Sequence, residues 1–175
     1  KFNGLNGFGA LLKRKDIVLE PLINGGASTT IYRSGTPVIG QICALDKALQ
    51  ITFDNFEQRY KYVKSLNEKL RQTFEKYKNV KINTISDENP YILNLSVLST
   101  KAIEFKSKLE EHGICVSIKS ACTVTITPSR IVLSMTHDRK RALASWRISL
   151  SHLVTEEEIN EFLEIFDKLV REEQN

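Results

Sequence analysis

Tyr91-Ile92-Leu93-Asn94-Leu95-Ser96-Val97-Leu98 reads as a strand, and what surrounds it decides the fold. Ser99 or Thr100 stands where a helix cap would, a helical stretch runs to about Glu111, and Gly113 stops it. Cys115 to Ile118 then reads as a further strand. On the other side, Val80 to Ile85 reads as a strand that reaches Tyr91 through the turn Asp87-Glu88-Asn89-Pro90. Trp146 to Ser151 supplies a fourth strand. Thr155-Glu156-Glu157-Glu158 has the form of a capping box, opening a last helix with Ile159, Phe162, Leu163, Phe166 and Val170 inward. The order β-β-α-β-β-α predicts a small α+β domain over residues 80–175, with a β-sheet and covering helices on one face.

Upstream, Pro37 begins a long helical pattern. Ile42, Leu45, Leu49, Phe53, Phe56, Tyr60, Val63, Leu66, Leu70, Phe74 and Tyr77 recur at steps of three and four. Residues 41–79 therefore read as a bridging helix, or as two helices split near Thr52 to Asn55. The steps do not hold a strict heptad, which disfavours a coiled coil. Residues 1–36 are turn-rich, with Asn3-Gly4, Asn6-Gly7 and Asn24-Gly25-Gly26. Phe8 to Lys13 reads as a short strand, and Ile17 to Ile23 as an extended piece interrupted at Pro21. The chain opens directly into this turn chemistry, as one entered in mid-domain or trimmed would.

Composition fits a globular protein: 175 residues, 41% apolar and 26% charged, with net charge +4. No apolar run approaches bilayer length, so no membrane span is expected. The densest basic cluster, Arg139-Lys140-Arg141, reads as a solvated loop, and no direct nucleic-acid contact is expected. Cys43, Cys115 and Cys122 are odd in number and form no Cys-x-x-Cys pair, which points to a reducing, cytoplasmic setting. His112, His137 and His152 are not at metal-ligand spacing, so no metal site is expected.

Four segments could carry chemistry. Cys122, within Lys119-Ser120-Ala121-Cys122-Thr123, sits among small and hydroxylic residues at the start of a polar, β-branched loop over 119–145 that should be mobile. Cys43 and Cys115 read as core residues instead. Arg147, centred in Trp146-Arg147-Ile148-Ser149-Leu150, would be half buried, or would face solvent from an edge strand. Buried arginine needs a carboxylate or phosphate, which its planar fork grips with two bonds. Arg33-Ser34-Gly35-Thr36-Pro37 offers hydroxyls, backbone N–H groups and a cation just before a helix start, which suits phosphate or an ordinary cap. Lys1 stands before the Gly-rich turn Asn3-Gly4-Leu5-Asn6-Gly7-Phe8-Gly9, a spacing that is generic by itself.

Taken in order, these segments resemble the cysteine desulfurases, pyridoxal-phosphate enzymes of the class V aminotransferase family. The likeness covers nearly the whole chain and corresponds to the C-terminal half of the family's length. Lys1-Phe2-Asn3-Gly4 with Gly7-Phe8-Gly9-Ala10-Leu11 is similar to the family's lysine motif. Glu20-Pro21-Leu22-Ile23 with Gly25-Gly26 resembles its Pro-Leu-Ile-His-Gly-Gly segment, and Arg33-Ser34-Gly35-Thr36 its Arg-Ser-Gly-Thr. Ser120-Ala121-Cys122 resembles its Ser-Ala-Cys, and Trp146 to Leu150 with Thr155 to Glu158 its closing motifs. The long interval from Cys122 to Arg147 resembles the NifS/IscS type. Leu5-Asn6, Asn24, Ala27-Ser28-Thr29 and Lys119 depart from the usual residues and point to a divergent member.

The resemblance implies part of an α/β pyridoxal-phosphate transferase fold, with residues 1–40 the tail of the large cofactor-binding domain. It implies that Lys1 holds the cofactor covalently and later serves as base at the substrate Cα. Thr36 would reach the cofactor phosphate of a neighbouring subunit, which implies a homodimer. Arg147 would bind the carboxylate of L-cysteine. Cys122 would take the substrate sulfur as a persulfide, leaving alanine, and pass it to a sulfur-acceptor protein in iron–sulfur assembly or tRNA thiolation. The family's cofactor-stacking aromatic residue and pyridine-pairing acid lie upstream of the motif at Lys1, so this chain alone should be inactive with little cofactor affinity. The rival readings are another class V enzyme, such as a selenocysteine lyase or aminotransferase, and a non-catalytic partner-binding domain.

Overall fold

The structure, a computed structural model, describes residues 3–26, 30–85, 89–118 and 127–173. The chain divides into two compact units, Lys1–Phe56 and Glu57–Asn175.

In the second unit the sheet has three antiparallel strands in the order β1 (Val80–Ile82), β2 (Ile92–Val97) and β3 (Ser145–Ser149). The register pairs Leu93 with Ile148 and Leu95 with Trp146. Side chains alternate between faces along a strand and agree in face across it. Leu93, Leu95, Val97, Trp146 and Ile148 therefore share one face, and all are buried. Helix α2 (Ala102–Glu111) brings Phe105 and Leu109 to this core, and α5 (Glu156–Glu172) brings Ile159, Phe162, Phe166 and Val170. Val63, Leu66, Leu70 and Phe74, from the C-terminal half of α1 (Ile39–Phe74), complete it. Phe166 lies within ring-contact distance of Phe74, Tyr77, Phe105, Trp146 and Phe162. Burying each phenylalanine, leucine, isoleucine or valine contributes roughly 1.5–3 kcal/mol, so this aromatic cluster and the aliphatic side chains around it hold the sheet and three helices together.

The helix ends follow the local signals closely. Thr155 accepts from the Glu158 N–H while Glu158 Oε2 accepts from the Thr155 N–H, the reciprocal box expected for α5. Gly113, at φ +76°, ends α2 with its N–H on the Glu110 carbonyl, and Ile114 N–H reaches back to Leu109. That pair of bonds needs a left-handed residue, which glycine adopts without a Cβ clash. The cap of α2 is Lys101 rather than Ser99 or Thr100, and it makes no side-chain capping bond; Thr100 Oγ1 bonds Glu104 instead.

Several expectations change. α1 runs unbroken through Thr52 to Asn55. Thr52 Oγ1 and Asn55 Nδ2 donate to the carbonyls of Ala48 and Ile51, one turn back, which satisfies them without opening the helix. No strand forms over Phe8 to Lys13 or Ile17 to Ile23, since neither finds a ladder partner among the described residues. Cys115 to Ile118 is reduced to one bridge, Ser117 with Arg147. Cys115 is exposed, not core. Ile114, Val116 and Ile118 take the inward positions, and alternation turns Cys115 outward with Ser117. Cys43 is also exposed, not core.

The loop expected over 119–145 holds two helices in its described part, α3 (Arg130–Thr136) and α4 (Arg139–Leu143). Ser129 caps α3 by accepting from Val132 N–H, and Asp138 caps α4 by accepting from Arg141 N–H. His137, at φ +53°, turns the chain between them. Arg141 is no solvated loop residue. Its Nε donates to Asn83 Oδ1 at 2.6 Å and its Nη2 to the Ile82 carbonyl at 2.9 Å, which ties α4 to β1.

Candidate active site

The second face of the sheet differs from the core face. Asn94 pairs with Arg147 and Ser96 with Ser145 across β2 and β3. Asn83 donates its N–H to the Asn94 carbonyl just beyond β1, and Ser117 exchanges both backbone bonds with Arg147. Asn83, Asn94, Arg147 and Ser117 thus form one polar row across the sheet. The row floors a cleft of about 760 Å³, walled by Pro128, Ser129, Arg130, Ile131 and Met135 from the segment that opens α3. Two arginines and no carboxylate line it among the described residues. That charge balance favours an anion.

Arg147 is half buried, the first of the two placements the sequence left open. Its Nε is buried and makes no hydrogen bond, and no ion pair forms at its guanidinium among the described residues. Buried polar atoms in folded proteins are almost always partnered, and Nε is not. No acceptor for this nitrogen is found among the described residues. A planar carboxylate matches the guanidinium fork.

Thr36 lies in the first unit and Arg147 in the second. Thr36 and Arg33 are exposed, and Ser34 N–H donates to the Ile23 carbonyl at 3.2 Å. Gly35 sits at φ +123°, a backbone conformation that strains any residue with a Cβ, so the turn favours glycine there. The first turn of α1 that follows holds no acidic residue. An exposed hydroxyl and guanidinium before an acid-free helix start suit a phosphate, so this donor set fits the phosphate end of pyridoxal phosphate. The turn beginning at Asn3 has Asn3 and Gly7 at positive φ, as its Asn-Gly pairs predicted, and lines a hollow of about 530 Å³. Lys1 and Cys122 lie outside the described residues.

Sequence reasoning did not single out Asn83, Asn94 or Ser117, and it read Arg141 only as part of a solvated basic loop. Asn94 and Ser96, two apart in an apolar strand, marked a polar face, but only the register shows that this face carries Arg147.

The aminotransferase class-V family matches residues 1–162, and the chain belongs to that family. It is 30% identical over 169 residues to an IscS-like cysteine desulfurase of Mycobacterium tuberculosis, covering 94% of this chain and 43% of the relative. It is 34% identical over 175 residues to a mitochondrial cysteine desulfurase of Arabidopsis thaliana, covering 97% and 38%. Among solved structures, a NifS-like protein superposes with a TM-score of 0.75 at 28% identity, over 90% of this chain and 40% of that one. A NifS-like protein from Rickettsia africae gives 0.71 at 29%, over 87% and 40%. The chain therefore spans less than half the length of the relatives it matches. No helix among the described residues is long and apolar enough to cross a membrane.

Proposed function

We propose that this chain is the C-terminal part of a pyridoxal-phosphate-dependent cysteine desulfurase, which takes sulfur from L-cysteine as a persulfide on Cys122. The observation that carries the reading is Arg147: a half-buried guanidinium with an orphan Nε, in a cleft with no acid of its own. It would receive the α-carboxylate of L-cysteine and fix the amino acid's orientation.

In this reading residues 80–175 are the small domain, residues 1–40 belong to the large one, and residues 41–79 bridge them. Thr36 holds the cofactor phosphate across a homodimer interface, and Lys1 moves the proton at the substrate Cα. Pyridoxal phosphate, when bound, supplies the electron sink. Cys122 attacks as the thiolate. A bond forms between its Sγ and the substrate sulfur, and the substrate's Cβ–S bond breaks. The electron pair of that bond leaves with the carbon fragment, which takes up protons to become L-alanine. A sulfur-acceptor protein then removes the outer sulfur.

The test is persulfide mapping by alkylation and mass spectrometry, on the family-length polypeptide that carries this chain, after incubation with pyridoxal phosphate and L-cysteine. A mass increase of one sulfur on the peptide containing Cys122, absent from Cys122→Ser, is expected. Alanine and sulfide release that persists in Cys122→Ser would overturn the reading and favour another class V chemistry.

A further inference from the structure

We propose that Asn94 is a second donor to the carboxylate that Arg147 receives, and that Asn83 and Arg141 fix which way its amide points. This rests on the substrate reading of Arg147 above and adds a residue to it.

The argument starts from Arg141, which can only donate hydrogen bonds. Its Nε lies 2.6 Å from Asn83, so the atom it meets there must be Oδ1. That turns Asn83 Nδ2 the other way, where it donates to Ser96 Oγ and to Asn94 Oδ1, each at 2.8 Å. Asn83 is buried, so this orientation is held by packing as well as by bonding. Asn94 Oδ1 is thereby occupied, and its Nδ2, with two N–H donors, is directed away from Asn83.

The backbone places those donors beside Arg147. Asn94 N–H goes to Thr84 Oγ1 and its carbonyl accepts from Asn83, so its main chain faces β1. Arg147 spends its main-chain bonds on Ser117, on the opposite side. Asn94 and Arg147 are therefore a non-hydrogen-bonded antiparallel pair, the kind whose side chains stand closest, with Cα atoms about 4.5 Å apart. Both line the cleft. No hydrogen bond to a protein group engages Asn94 Nδ2 among the described residues. A carboxylate has four lone-pair directions, and a guanidinium fork satisfies two of them. An adjacent amide N–H fits a third. The relay from Arg141 to Asn94 keeps an amide oxygen from facing the anion instead.

The experiment uses the 175-residue chain, followed by two-dimensional NMR of its side-chain N–H signals. The probe is 3-mercaptopropionate, with cysteamine, which lacks the carboxylate, as control. Arg147 Nε–H and both Asn94 Nδ2–H signals should move with one common Kd on adding the probe, and stay still with cysteamine. Asn94→Ala should weaken binding about tenfold, the loss of one charge-assisted bond. Asn94→Asp should weaken it more than Asn94→Ala, since it keeps an acceptor for Asn83 but turns a negative oxygen toward the ligand. Unchanged backbone spectra would show that both variants fold. If Asn94 merely supported Asn83, the order would reverse and Asp would be the milder change. A shift of Arg147 alone, with Asn94→Ala binding normally, would overturn this proposal and leave the Arg147 reading standing. No response at Arg147 would overturn both.

Discussion

The two ends of α1 follow the same sequence rule and meet opposite fates. In the second unit, Val63, Leu66, Leu70 and Phe74 are at most 1% exposed. In the first unit, Ile42 is 43% exposed and Phe53 76%, although both sit on the same apolar stripe. Leu12, Val18 and Leu22, in the extended segments before α1, are at least 90% exposed. Periodicity tells which face of a helix is apolar; it does not tell what covers it. The second unit carries its own cover in α2, α5 and the sheet. The first unit's apolar side chains would meet theirs in the large domain that the proposed function requires, since apolar surface of this extent marks an interaction face.

The largest effect that would sharpen this contrast is on stability. Phe166→Ala removes the ring at the centre of the aromatic cluster and should cost about 3–5 kcal/mol in urea unfolding. Phe53→Ala, on the same measurement, should change stability by less than about 0.5 kcal/mol. Equal losses would mean that the two ends of the helix are packed alike.

A smaller effect separates the units by pH. Tyr77 donates to Asp167 Oδ1 at 2.6 Å, and its pKa is pushed from 10.0 up to about 12, first by burial and then by that bond and the carboxylate's charge. The folded value lies above the unfolded one, so the folded state holds its proton longer. Stability from this group is complete below about pH 10 and is lost as pH rises toward 12. Absorbance titration should show one late tyrosine, abolished by Tyr77→Phe, together with a flatter pH dependence of unfolding. A titration unchanged by Tyr77→Phe would break the account of the segment after α1 packing against α5.

Much of the second unit was legible because its signals are local. The Thr155–Glu158 box, the Gly113 stop and the strand at Tyr91 to Leu98 each carry their own physical cause within a few residues. The helices α3 and α4 were missed although Ser129 and Asp138 are good caps, because both helices are short and the surrounding polar run masked them. Cys115 was misjudged because a strand's facing depends on register, which its apolar neighbours do not reveal by themselves. Of the candidate site, the sequence offered Arg147 either half buried within a strand or facing solvent from an edge strand, and it is half buried. Asn94 and Asn83 were not readable, because their role arises from pairing across the sheet and from Arg141, far along the chain.

The central claim is that Arg147 is a carboxylate receptor, and steady-state kinetics of the family-length polypeptide test it most directly. Arg147→Lys keeps the charge but loses the fork, so KM for L-cysteine should rise about tenfold or more, with the protein folded and its cofactor absorbance retained. An unchanged KM for L-cysteine in Arg147→Lys and in Arg147→Ala would contradict the account.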